Sequence, residues 1–327
     1  MKKMNGFPVR LAASAMVMLL AVSSLFAAGQ AEMEEEAYPS RAITVIVPWG
    51  PGGVSDTRAR IIAEYVEEII GQPLVIQNIG GASGTVGTEE GLAAAADGYT
   101  IISVDDATWY GIHSGIGDYE LDDFAPISMI GKWPLVIAGR ADAEWDDFGE
   151  FVEVASERPG ELSFAITAGN QSHLVPVEIS AATDAEFNLV APQGDVSRNA
   201  ALLAGNVDAA ITYVSSGMQY VESGDFVFLA HTFPERHPQI PEVPTLDELG
   251  IGMVYEMWGG FAAPAGTPAD RIAVLEAAIQ EAAANPELQQ RLDELTITTE
   301  YMPADEMASY LEEVNGRIEV FAGTLTN

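Results

Sequence analysis

Ile43-Thr-Val-Ile-Val47 is an unbroken β-branched run that stops at a glycine-rich turn, Gly50-Pro-Gly-Gly53, with an amphipathic stretch directly behind it. No other feature restricts the fold so tightly. A continuous apolar run of this length reads as a strand covered on both faces, and that requires helices on either side of its sheet. The spacing predicts a helix from about Ser55 or Asp56 to Ile70, stopped by Gly71 at C′ and Pro73 beyond it. Leu74–Gln77 is a second strand, and Gly80-Gly-Ala-Ser-Gly84 a second glycine-rich turn. A helix then runs toward Asp97-Gly98, and Thr100–Val104 is a third strand. A βαβαβ order of this kind implies a parallel sheet with right-handed crossovers.

The alternation resumes after a loop-rich middle. Asp146–Ser156, Ser172–Thr183 and Val196–Leu203 read as helices, and Leu162–Ala165, Phe187–Val190, Val207–Thr212 and Phe226–Ala230 as strands. Pro234–Pro244 is too rich in proline to be regular. The last stretch is helical, with Pro268–Ala284 and Asp305–Phe321 both opened by proline-containing starts. Two α/β units joined by crossover segments is the architecture this order implies. Such units bind ligands at the carboxyl ends of their strands.

The N-terminus has a different character. Lys2, Lys3 and Arg10 precede an uncharged run from Leu11 to Ala28, followed by Gly29-Gln-Ala31. A basic start, an apolar run and small residues at a cut site describe a secretory signal peptide over 1–31, cleaved after Gly29 or Ala31. The competing reading is a retained membrane anchor, since such a run is just long enough to span. Its serines and alanines make it weakly apolar for that role. Residues 32–37, Glu-Met-Glu-Glu-Glu-Ala, are an acidic leader.

Composition excludes several chemistries. The chain has 327 residues, 14 Lys+Arg against 49 Asp+Glu, and no cysteine. There is therefore no disulfide framework, thiolate metal site or thiol nucleophile. A formal charge of −35 argues against binding a phosphate backbone, so no nucleic-acid partner is expected. The four histidines are scattered, without metal-ligand spacing, and neither a P-loop nor a full dinucleotide fingerprint is present. No metal and no cofactor is implied. Asp122-Asp123 and Asp146-Asp147 read as helix starts and solvated turns, and Trp133 and Trp258 as core or interface aromatics.

Glycine- or hydroxyl-rich turns recur between a strand and a helix at Trp49–Asp56, Gly80–Thr85, Thr167–His173 and Gln193–Ser197. Each presents backbone N–H groups at the positive end of a helix, which suits an anion without any cationic side chain. Such turns are also common as simple caps. Trp49-Gly-Pro-Gly-Gly-Val-Ser-Asp56 is the most specific of them, because its glycines admit a ligand close to the backbone beside an aromatic wall.

The segment Pro39-Ser-Arg-Ala-Ile-Thr-Val-Ile-Val-Pro-Trp-Gly-Pro-Gly-Gly-Val-Ser-Asp56 resembles the opening of the TctC/Bug family, the extracytoplasmic solute-binding proteins of tripartite tricarboxylate transporters. The resemblance continues through Gly71-Gln-Pro-Leu-Val-Ile-Gln-Asn78, Gly81-Ala-Ser-Gly84, Ala96-Asp-Gly-Tyr-Thr100 and Asp123-Phe-Ala-Pro126. It persists at Ser172-His-Leu174, Pro241-Glu-Val-Pro-Thr245 and Trp258-Gly-Gly-Phe-Ala-Ala-Pro-Ala-Gly-Thr-Pro268. It implies an α/β fold of the periplasmic-binding-protein type II kind, two α/β lobes with hinge crossovers and a ligand cleft between them. Lobe 1 would comprise 38–140 plus 255–327, and lobe 2 would comprise 141–254. By the same resemblance a small organic acid is captured and passed to membrane permease subunits. The protein would be a periplasmic or secreted monomer with no catalytic residue. Trp49, Gly52, Gly53, Ser55 and Asp56 would form one jaw, and Asn170, Gln171, Ser172 and Gly194 the other, with Tyr213 and Ser215 at its edge.

The sequence departs from the family pattern in two places. Asp105-Asp106-Ala107-Thr108 stands where a small hydroxyl-rich stretch is usual. If Asp105, Asp106 and Thr108 line the cleft, the two carboxylates would repel an anion or meet an ammonium group or cation; otherwise they face solvent. Ala191-Pro-Gln-Gly194 carries Gln193 where the family often has lysine, so a positive charge is missing there. Two other roles remain open. The same pocket would serve a ligand-sensing subunit of a membrane receptor, and Ser172 or Ser55 would be the nucleophile of a secreted serine hydrolase.

The acidity reads most simply as habitat. After Arg10 the chain has one lysine, Lys132, beside ten arginines, and removal of 1–31 leaves a charge of −38. Self-repulsion of that size is screened in molar salt, where the Debye length is about 3 Å against about 10 Å at 0.1 M. The thermal midpoint is therefore expected to be higher in molar than in 0.1 M NaCl. A lower midpoint in molar salt would overturn the reading.

Overall fold

A computed structural model of the chain describes residues 37–113, 115–192 and 194–325. The proposed signal peptide and all of the acidic leader except Ala37 lie outside the described residues. Among the described residues no helix is long and apolar enough to cross a membrane.

Strand β1 (Ile43–Val47) leads through the first glycine turn into α1 (Val54–Ile70). Gly71 closes α1 in the left-handed conformation, with its N–H donating to Glu67 O. Strand β2 (Leu74–Asn78), helix α2 (Thr85–Leu92), β3 (Thr100–Asp105) and α3 (Asp106–His113) follow. Helix α2 is shorter than the sequence suggests because the segment after it is tied down by side chains. Asp97 accepts from the Tyr99 N–H at 3.0 Å and pairs with Arg41, while Arg271 caps the Asp97 carbonyl.

The middle of the chain is not loop-rich. Strand β4 (Phe124–Pro134) runs almost directly into β5 (Val136–Arg140), with Leu135 alone between them. Then come α4 (Phe148–Glu157), β6 (Ser163–Ala165), α5 (Gln171–Ala182), β7 (Asn188–Val190), α6 (Gly194–Leu203), β8 (Ala209–Thr212), α7 (Val214–Ser223) and β9 (Phe226–His231). The last part holds β10 (Glu256–Pro264), α8 (Ala269–Ala283), α9 (Pro286–Asp293), β11 (Thr298–Pro303) and α10 (Ala304–Leu325).

The strands form two sheets, in the orders β11-β4-β10-β3-β1-β2 and β7-β6-β8-β5-β9. In the first, β1 pairs in parallel with β2 and β3 as the βαβαβ order requires, but β10 is antiparallel to both β3 and β4. The sheet is therefore mixed rather than all parallel. The second sheet is also mixed, with β6 parallel to β7 and β8, and β5 antiparallel to β8 and β9.

Each sheet has its own apolar packing. Trp109 stacks on Trp258 at 6.1 Å and meets Phe124 edge-on at 4.7 Å beside the first sheet. Phe151, Phe164 and Phe187 interlock against the second. Trp133 and Trp258 are fully buried, in keeping with a core role. Where the chain passes between sheets, Thr232 ties three passages together. Its N–H donates to Leu135 O and its hydroxyl accepts from Leu135 N–H, while its carbonyl accepts from Tyr255 N–H and its hydroxyl donates to Tyr255 O.

Candidate functional site

The first jaw sits at the carboxyl ends of β1 and β3. Gly52 adopts a left-handed φ of 84°, which lets the chain fold back so that its N–H meets Asp56 Oδ2 at 2.8 Å. Asp56 is the third residue of α1, so its carboxylate reaches back over the helix start as in a capping box. It also accepts from Asn78 Nδ2 at 2.9 Å and pairs with Arg60 at 2.9 Å. Burial works to raise the Asp56 pKa, but these bonds from Arg60, Gly52 and Asn78 outweigh it and hold it below the usual carboxylate range. Asp56 is thus the brace of the loop, and its carboxylate and the Gly52 N–H are engaged with each other. The first-turn amides of α1, beginning beyond Gly53, have no intrahelical acceptor, and Gly53 receives no side-chain cap.

Asp105 is the centre of this jaw. Its Oδ2 accepts from Trp49 Nε1 and from Ser55 Oγ, both at 2.9 Å, and its Oδ1 accepts from Ala107 N–H at 3.1 Å. Thr108 Oγ1 lies 3.4 Å from Asp105 N. Only 3% of Asp105 is exposed, so it does not face solvent. Burial pushes its pKa up, against the pull of Ser55, Arg58, Trp49 and Ala107. Asp106 is 1% exposed and turns the other way, accepting from Trp258 N–H of β10 at 3.1 Å.

Beneath Asp105 lies a residue that sequence reasoning missed. Arg58 is fully buried and donates to Ser103 Oγ at 2.9 Å and to Val104 O at 3.3 Å. Burial lowers its pKa to about 10 despite the nearby Asp105 charge. It was legible in principle, since Val54, Arg58, Ile61 and Ile62 share the buried stripe of α1.

The second jaw gathers at the carboxyl ends of β6, β7 and β8. Asn170 caps α5, with Oδ1 accepting from Ser172 N–H at 3.0 Å and from Ser172 Oγ at 2.6 Å. Ser172 Oγ also accepts from Thr167 N–H at 2.8 Å. Its hydroxyl is therefore held in a cap, and Ser55 is held by Asp105. Neither is hydrogen-bonded to a histidine among the described residues, so neither forms a serine–histidine pair there. Gln171 is 2% exposed with Oε1 unpartnered, and Ser215 Oγ is buried and unpartnered. Gly194 opens α6 at φ 78°. Gln193 lies outside the described residues.

A second buried arginine underlies this jaw. Arg198 is 2% exposed, donates to Thr167 Oγ1 and Ile211 O, and faces Asp195 at 3.4 Å. Burial raises the Asp195 pKa against the pull of Arg198, Ser216 and Thr212. Each jaw therefore rests on its own buried arginine, Arg58 near Asp105 and Arg198 paired with Asp195, a feature the sequence reading did not anticipate. Asp195, Arg198, Asn199 and Leu202 form one stripe of α6, so the pattern was again present in the sequence.

Two contacts bring the jaws together. Ser83 Oγ, in the second glycine turn, donates to Ala168 O at 2.8 Å. Tyr213 packs edge-on against Trp133 at 6.4 Å. Burial raises the Tyr213 phenol above its ordinary pKa; Arg198 opposes this, while Asp195 and Asp105 add to it, so the ring lies within reach of both couples. The starts of α1, α5, α6 and α7 thus lie just beyond the carboxyl ends of β1, β6, β7 and β8. Helix starts of this kind can accept an anion through amides and dipoles.

The family model described as "Tripartite tricarboxylate transporter family receptor" matches residues 58–321. The chain belongs to the TctC family. Among TctC relatives, it is 35% identical over 276 residues to Protein BugT of Bordetella pertussis, covering 82% of this chain and 85% of that one. Solved TctC-like structures superpose closely. Rpa4515 of Rhodopseudomonas palustris with adipate gives a TM-score of 0.82 at 27% identity, covering 88% of this chain and 98% of that one. MatC from Rhodopseudomonas palustris with bound malate gives 0.79 at 27% identity, covering 87% of this chain and all of that one. The fold is that of periplasmic binding proteins, and the family is one of receptors rather than enzymes.

Proposed function

We propose that the protein is an extracytoplasmic receptor that closes on a small carboxylate and delivers it to the membrane subunits of a transporter. One observation carries the reading. Loops from the carboxyl ends of both sheets approach one another with helix starts and amide donors, and the Ser83–Ala168 hydrogen bond and the Tyr213–Trp133 ring contact join them. That the related proteins from Rhodopseudomonas palustris hold adipate and malate supports a dicarboxylate or tricarboxylate here. The ligand-contacting set is Trp49, Gly53, Ser55, Asn170, Gln171, Ser172, Gly194, Tyr213 and Ser215, with Gly52 and Asp56 shaping the first loop. Trp49 and Ser55 are oriented by Asp105, so Asp105 acts on the ligand through them.

The two sheets serve as lobes. The chain crosses between them at Leu135, around Thr232 and around Tyr255, and the hydrogen-bonded knot at Thr232 is the hinge about which they open. Residues 1–31 direct export and are removed, and the chain acts as a monomer in the periplasm or outside the cell.

The test is a thermal-shift and calorimetric screen of ligand-stripped protein against dicarboxylates, tricarboxylates, aromatic acids and amino acids. A true ligand at a hundredfold excess over its Kd is expected to add about 2.7 kcal/mol of stability. No stabilisation by any small acid would overturn the proposal.

A further inference from the structure

The second jaw holds two polar atoms that its own residues leave unsatisfied. Gln171 is 2% exposed with its Oε1 buried, and Ser215 Oγ is buried as well. Neither atom has a hydrogen-bond partner among the described residues. The other polar groups of this jaw are engaged: Asn170 Oδ1 accepts from Ser172, Ser172 Oγ accepts from Thr167 N–H, and Arg198 holds Thr167 and Asp195. Gln171 is the first residue of α5, which follows β6, and Ser215 is the second residue of α7, which follows β8. Strands β6 and β8 pair in parallel, so the two residues stand at the same end of adjacent strands. Ala168, three residues before Gln171, accepts from Ser83 Oγ of the other jaw, which places the start of α5 where the jaws meet. A buried polar group without a partner is costly, and such groups are ordinarily satisfied by something.

We propose that Gln171, with Ser215, selects acids that carry a hydroxyl group on the carbon next to the carboxylate. The inference rests on the carboxylate reading above and names the chemistry of the ligand. An amide oxygen can only accept a hydrogen bond. An ionised carboxylate has no proton to give, so an acid without a further donor would leave Gln171 Oε1 unpaired or set acceptor against acceptor. Backbone amides at the starts of α5 and α7 are the donors suited to the carboxylate, and α7 has no side-chain cap. They lie in the same turns as Gln171 and Ser215, so the donor that Gln171 requires must sit close to the carboxylate on the ligand. A 2-hydroxy acid has that spacing. Its hydroxyl also matches both side chains at once, because its O–H donates to Gln171 Oε1 while its oxygen accepts from the Ser215 hydroxyl. An ammonium group only donates, and would leave the Ser215 hydroxyl proton without an acceptor.

The experiment is calorimetric titration of the ligand-stripped full chain with acids matched in skeleton and differing by one hydroxyl: malate and succinate, citrate and tricarballylate, 2-hydroxyadipate and adipate. In whichever pair binds, the hydroxy acid is expected to bind at least about tenfold more tightly, since a site built to hydrogen-bond a hydroxyl rejects the analogue lacking it. Gln171→Met keeps the length of the side chain and removes its acceptor, and is expected to bring the ratio of the two affinities close to one. Ser215→Ala removes a single oxygen, is expected to lower the same ratio, and keeps the test decisive if the methionine variant fails to fold. Loss of packing alone would weaken both members of a pair and leave the ratio where it was. Aspartate, which offers an ammonium group in place of the hydroxyl of malate, is expected to bind more weakly than malate. Equal affinity within each pair, a ratio unchanged in the folded variants, or aspartate binding as tightly as malate would each overturn this inference and leave carboxylate capture standing. Binding of none of these acids would overturn it together with the reading it rests on.

Discussion

Asp105→Ala is expected to cost about 1–3 kcal/mol of stability, because it leaves the donors of Trp49, Ser55 and Ala107 without their acceptor and removes the nearby charge that partly balances the buried Arg58 guanidinium. Arg58 keeps only the neutral acceptors Ser103 Oγ and Val104 O, and its Nε and one terminal nitrogen already have no partner. Two further donors, Trp49 Nε1 and Ser55 Oγ, lose their shared acceptor, so the first jaw loosens with the fold. Asp105→Asn separates shape from charge. An amide oxygen placed at Oδ2 satisfies Trp49 and Ser55, but its nitrogen then faces the Ala107 N–H, donor against donor. The asparagine variant is therefore also destabilised, by less than the alanine variant. The charge argument has a sharper form. Adding Arg58→Met to Asp105→Ala removes the stranded ion, so the double variant is expected to be more stable than Asp105→Ala alone. A double-mutant cycle by urea unfolding measures the coupling, expected above about 1 kcal/mol. Additive losses would show that Asp105 and Arg58 do not compensate one another.

The elements that were legible in the sequence share one property. Their signals are local. The run Ile43–Val47 needed only its β-branched composition and its glycine stop to read as a strand, and α1 needed only its period and Gly71. The elements that escaped depend on distant partners. Strand β10 contains Gly259 and Gly260, which weaken any strand signal, yet both glycines are demanded by the packing. A Cβ on Gly259 would lie 2.0 Å from an Arg58 nitrogen, and one on Gly260 would lie 2.3 Å from Ser128 O. The same distance from sequence explains the site. The glycine turns pointed to the strand ends that carry Trp49 and Asn170, but nothing near Asp105 in the chain told which way it faces. Trp49 and Ser55, about fifty residues earlier, fix that. The buried arginines were hidden differently. They occupy positions of a helix stripe where an apolar residue is the ordinary occupant, so their charge argued for the surface while their spacing argued for the core.

Gly87→Ala sets two effects of opposite sign against each other in α2. Alanine is the better helix former by about 1 kcal/mol, so propensity alone predicts a gain. The structure predicts a loss. A Cβ on Gly87 would sit 2.2 Å from Ile79 O and 2.7 Å from Pro48 Cα, and both are backbone atoms that cannot rotate away. Gly91, one turn later, likewise abuts Ile102, so this face of α2 is pressed against the sheet through hydrogen atoms alone. Relief requires α2 to back off, and Pro48 precedes the Trp49 wall of the cleft. Overpacking of this kind costs about 1–3 kcal/mol in ordinary cores, and a clash with fixed backbone belongs at or beyond the upper end. The net expectation is a loss of at least about 2 kcal/mol after the propensity gain, read as a lower urea midpoint with an unchanged slope. Gly316→Ala is the matched control. It lies in α10 with nothing near its would-be Cβ, so there propensity acts unopposed and a gain of about 0.5–1 kcal/mol is expected. Were Gly87→Ala to stabilise the protein as Gly316→Ala does, α2 would have to stand farther from β1 than its contacts place it.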